Sequence, residues 1–155
     1  MKNKISLAKQ LLLIAGVIEL SVGLLHFAMP SFAYQTEGFS RLLPNEINFV
    51  TLVIFSVGIL LAALGSLTIF FSFKLESMIE ILFYYVIVKV ILWSGRVTLE
   101  LIYPVELDMF YIDPFTSVVL PGLVIELLLF VAVALLIRNI MKYANFSDSA
   151  LTGGT

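Results

Sequence analysis

Five strongly ionisable side chains sit inside otherwise apolar stretches of this sequence: Glu19, Lys89, Arg96, Glu100 and Glu126. Each costs about 2.5–3.5 kcal/mol at the centre of a helix in lipid. An unpaired set would therefore forfeit on the order of 10 kcal/mol, comparable with the whole stability of a domain. These groups must face one another, water or a partner protein. Three carboxyls stand against two cations and one imidazole, His26, so one carboxyl either carries a proton or pairs with a charged His26. Such a set can hold the polar head of a ligand, pass a proton between carboxyls, or dock complementary charges on a neighbouring subunit. It can also simply fix how helices pack.

The spacing favours a shared interior. At about 100° per residue, Tyr85, Lys89, Trp93, Arg96, Glu100 and Tyr103 fall on a stripe about 80° wide. Arg96 and Glu100 are one helical turn apart and can pair. Gly16, Glu19, Gly23 and His26 line a second stripe, whose glycines admit a close neighbour. Glu126 follows Pro121-Gly122, where a helix can kink and free a carbonyl. Glu19, Lys89 and Glu126 are expected near mid-depth, with Lys89 or Arg96 in contact with Glu19 or Glu126. His26, Arg96 and Glu100 are expected to continue a polar column toward the outer surface, as a cavity open to the outer leaflet. Trp93 would line it.

The elements that must position these residues are four apolar segments near 11–29, 47–73, 78–103 and 115–137. Each is long enough to cross a hydrocarbon core of about 30 Å, which takes roughly 20 helical residues. The 155-residue chain is 61% hydrophobic and only 13% charged, with mean hydropathy +1.08. That pairing of apolar excess with charge deficit belongs to a chain solvated mainly by lipid. The expected fold is an all-α integral membrane bundle of four helices, one domain over 1–155. Its polar, Gly-rich tail, 147–155, would need a partner to be ordered. The second segment carries no charge. Its small-residue face, Thr51, Gly58, Ala62, Gly65 and Ser72, reads as packing scaffold.

Orientation follows from the distribution of cations. With both termini cytoplasmic, Lys2, Lys4, Lys9, Lys74, Arg138 and Lys142 lie inside and only Arg41 outside, beside Glu37, Glu46, Glu106, Asp108 and Asp113. Glu19 interrupts the first apolar run, which therefore reads as a retained helix rather than a signal peptide. The two outer loops, 31–45 and 104–114, mix aromatic and acidic residues, as interfacial belts do, or as a cap over an outward-opening cavity does.

Other classes are set aside by composition. A net charge of −2 and the lack of any basic, aromatic-studded groove argue against nucleic acid. Zero cysteines exclude disulfides and thiolate sites, and a single histidine leaves no imidazole pair for a metal. No nucleophile, base and orienting group can be assembled into a hydrolytic centre, and no cofactor motif is evident.

The run Gly23-Leu24-Leu25-His26-Phe27-Ala28-Met29-Pro30, in a small four-helix chain with a short inner loop, resembles the DoxX-like group of bacterial membrane proteins. That resemblance covers the architecture and these eight residues. It implies a periplasm-facing bundle in the inner membrane, sometimes associated with quinone-linked oxidoreduction; it supplies no counterpart for the charged stripe from Lys89 to Glu100. The lone mid-helix Glu19 is also similar to the carboxylate of small multidrug exporters, although Lys89 and Arg96 would repel a cationic drug. Three functions follow: a site for a small amphipathic ligand such as a quinone or lipid, a non-catalytic accessory subunit of a larger membrane complex, and a proton-coupled small transporter.

Overall fold

Prolines set most of the helix ends. The structure, a computed structural model, describes residues 2–105, 110–112 and 117–152, with side chains through residue 143. It contains α1 (Lys2–Leu25), α2 (Met29–Ala33), α3 (Glu37–Ser40), α4 (Pro44–Lys74), α5 (Ile79–Ile102) and α6 (Val119–Thr152). Pro30 cannot donate to the carbonyl of His26, and its ring would strike it, so α1 stops at Leu25. This is four residues earlier than expected, and Pro30 instead opens the one-turn α2. Leu43 is extended ahead of Pro44, as a residue before proline prefers. Its N–H donates to Glu46 Oε2 at 2.8 Å, closing the first turn of α4.

Apart from one isolated bridge between Tyr111 and Ser117, the regular structure among the described residues is helical. Four of the helices, α1, α4, α5 and α6 (through Tyr143), are long and apolar enough to cross a membrane. The fourth begins at Val119 rather than Phe115, and this corrects the expected kink. Pro121 falls in the first turn, where no intrahelical bond is lost, and Gly122 N–H still donates to Val118 O at 3.1 Å. α6 runs on to Thr152. The loop residues Glu106, Asp108, Met109, Asp113 and Pro114, with Phe115 and 153–155, lie outside the described residues.

The helices pack most extensively as α1 with α4, α5 with α6, and α1 with α6. The α1–α4 seam is a glycine interlock. A Cβ on Gly23 would lie 2.4 Å from Ala62 N, and one on Gly65 would lie 2.5 Å from Leu20 N. Only hydrogen at these positions lets the two backbones meet. The apolar core is built from Ala8, Leu12 and Ala15 of α1, Leu82, Val86 and Trp93 of α5, and Phe130, Val133 and Ile137 of α6. Most of it fills the half of the bundle nearest the N-terminus of α1. Lys9 bonds Glu76 at 2.6 Å at that end, and the ammonium of Lys4 sits 4.6 Å from the Tyr143 ring centroid. The start of α1 and the later part of α6 thus share the lysine-rich end.

The connection at the far end folds back on α4. Tyr34 and Thr51 share a hydroxyl hydrogen bond of 2.6 Å, and Phe39 packs edge-on to Tyr34.

Candidate functional site

Immediately above this apolar half lies a buried charged group. Lys89 donates from α5 to Glu19 Oε1 on α1, and both side chains are 1% exposed. This is the inward contact that the two stripes require. Glu126, also 1% exposed, enters from α6 within electrostatic reach of both. Neither of its carboxyl oxygens has a hydrogen-bond partner among the described residues. The Lys89 ammonium also lies 5.1 Å from the Phe130 ring centroid and 5.8 Å from that of Tyr85, so aromatic faces supplement its single carboxylate.

The second apolar helix is more than scaffold. Thr68 of α4 is fully buried and reaches Glu19 Oε2 at 3.3 Å. Its Oγ1 is 2.6 Å from Tyr85 Oη and 2.8 Å from Leu64 O; Tyr85 Oη is in turn 3.1 Å from Leu64 O. With one proton on each hydroxyl, Tyr85 can donate to Thr68 while Thr68 donates to Glu19. Thr68 was not among the expected site residues. It stands three residues beyond Gly65, next to the small-residue face, and that position was the available signal. Tyr85 was on the charged stripe, and Phe71 of α4 pins it at 4.8 Å between ring centroids.

Depth follows from counting. Glu19 is ten residues beyond Lys9, and Lys89 is ten beyond Ile79. Each interval rises about 15 Å, half of a 30 Å hydrocarbon core.

The remaining expected residues form separate groups. Arg96 Nη2 pairs with Glu100 Oε2 at 2.8 Å, though without the alignment of a hydrogen bond. Glu100 Oε1 accepts the Val105 N–H at 2.8 Å. The pair therefore ties the chain leaving α5 back to its last turn. Trp93, 6% exposed, stands one turn from Lys89 and nearly one from Arg96, between the two groups. His26 contributes Nδ1 to Val22 O at 2.8 Å and lies against Gly58 on the α1–α4 seam. No described hydrogen bond or ion pair joins His26, Arg96 or Glu100 to the central trio. Tyr103 leaves the stripe because the helical register ends at Ile102; it is 72% exposed.

Chemically, the centre holds one ammonium, two hydroxyls that can relay a proton, and two carboxyls, of which that of Glu126 faces no donor among the described residues. A buried acceptor without a donor is costly, so Glu126 is where a further group or proton is best received. No family model matches this chain, and no characterised protein or solved structure resembles it significantly.

Proposed function

We propose that this chain is an integral membrane protein, in a bacterial inner membrane with both termini cytoplasmic, whose charged centre binds the polar end of a small amphipathic molecule such as a quinone, quinol or lipid. The observation that carries this reading is Glu126, fully buried beside the Glu19–Lys89 pair with neither oxygen partnered among the described residues. A ligand that brings a hydroxyl or another donor satisfies that carboxyl and takes its tail into the bilayer between helices. Entry from the far, outward end is favoured because Leu12, Leu82, Phe130 and Ile137 fill the lysine-rich side. The cation distribution supports a cytoplasmic assignment of that side. The DoxX-like resemblance, carried by residues 23–30, agrees with a quinone-type ligand.

The test combines mass spectrometry of the purified protein with thermal unfolding. A hydroxyl-bearing amphipath at a hundredfold over its dissociation constant stabilises by about 2.7 kcal/mol, and Glu126→Gln abolishes that gain. Absence of any co-purifying lipid or quinone, together with no thermal shift on adding them, overturns the proposal.

A second reading, proton-coupled transport, is favoured by two carboxyls sharing one ammonium at mid-depth. It predicts that reconstituted vesicles dissipate a pH gradient, and that Glu19→Gln and Glu126→Gln each stop the flux. Vesicles that hold their gradient with every candidate substrate count against it.

A further inference from the structure

A cavity lies outside the charged centre, at the lysine-rich end. Lys2, Ile5, Ser6 and Lys9 occupy positions i, i+3, i+4 and i+7 of α1, one face of the helix. Together with Glu76 in the α4–α5 turn they line a cavity of about 330 Å³, within the range of small-ligand sites. Two ammonium groups against one carboxylate give its wall a net charge of +1. Ser6 adds a hydroxyl and Ile5 an apolar patch. Lys9 is two residues before the apolar run that extends from Leu11 to Ile18, so the cavity sits where phosphates of a bilayer would lie. Lys9 is only 35% exposed and reaches across to Glu76 at 2.6 Å, which holds the wall together from two elements.

We propose that this cavity binds the phosphodiester headgroup of a singly anionic glycerophospholipid. Lys2 and Lys9 meet the phosphate oxygens, Ser6 donates to one of them, and Ile5 contacts the glycerol and upper acyl carbons. Charge and depth together select this occupant: basic pockets at the cytoplasmic ends of spanning helices suit anionic headgroups, and a neutral headgroup leaves one positive charge unanswered.

Native mass spectrometry of the full chain, released from nanodiscs of phosphatidylglycerol, phosphatidylethanolamine or phosphatidylcholine, provides the test. Phosphatidylglycerol is expected to be retained preferentially, and each of Lys2→Gln and Lys9→Gln to weaken that retention about fivefold. Glu76→Gln, which removes the competing carboxylate, should strengthen it. Lys142→Gln, at the same end but outside the wall, should leave it unchanged. Lys2 is exposed and outside every ion pair described here, so Lys2→Gln remains informative if Lys9→Gln perturbs folding. Equal retention of the three lipids, or retention insensitive to Lys2 and Lys9, overturns the proposal. Displacement of the lipid by millimolar inorganic phosphate overturns the lipid assignment in favour of a free anion.

Discussion

Lys89 holds Glu19 directly and offsets Glu126 through space, so its removal leaves two buried carboxyls uncompensated. Lys89→Met should cost about 3–5 kcal/mol of stability, read by unfolding in mild detergent. Adding Glu19→Gln and Glu126→Gln to it should recover most of the loss, because the penalty lies in unbalanced charge rather than in lost packing. Thr68→Val should cost about 1 kcal/mol, the worth of one buried hydrogen bond. The exposed Lys9–Glu76 pair gives a pH signature. The hydrogen bond and charge of Lys9 hold the Glu76 carboxyl below its ordinary value of 4.5. Its contribution is therefore present above that ordinary value and lost as the pH falls through the lowered one. The stability difference between the protein and Glu76→Gln should close below pH 4.5 and shrink with salt. The Glu19–Lys89 contact was legible in the sequence because both residues fall on single helical faces at matching depth. Thr68 was not, since a threonine in an uncharged apolar helix usually bonds its own carbonyl four residues back. Thr68 has that bond and the carboxylate within reach.

At the scale of elements, the α1–α4 interlock and the open glycines make opposite predictions. Gly23→Ala forces a methyl against Ala62 backbone and should cost about 1–3 kcal/mol. Gly95→Ala places its methyl on α5 with no atom within 4 Å, and should gain about 0.5–1 kcal/mol from helix propensity. Thermal unfolding of the two variants in the same detergent checks both. That each of these helices admits a close neighbour was readable from Gly16 and Gly23 on one and Gly58 and Gly65 on the other; that the two pair with each other was not. Helix ends were less readable. Hydropathy continues through Met29, and only the steric effect of Pro30 on the preceding turn stops α1 at Leu25. At Pro121 the same residue type opens a helix instead of kinking one, because it falls in the first turn of α6, where no intrahelical bond is lost.

For the whole molecule, sidedness is the open property with the simplest test. The chain has no cysteine, so single reporters are clean. Ser77→Cys in the α4–α5 turn should resist membrane-impermeant maleimide in intact cells, while Gly38→Cys, exposed at the opposite end, should react. Reversed labelling would invert the proposed topology and place the lipid site outside. Four apolar helices were evident from length and hydropathy alone, whereas the order in which they pack was not, because every segment is apolar enough to face any other. The placement of Glu19, Lys89 and Glu126 about 15 Å from the lysine-rich end has an electrical consequence. In an energised membrane, an elementary charge carried through the full potential is worth about 2.3 kcal/mol per 100 mV. A proton or charged ligand arriving at the centre from either side traverses about half of that field. Its occupancy would then follow voltage as well as concentration, by roughly sevenfold per 100 mV, and the direction of that dependence would report the side from which it came.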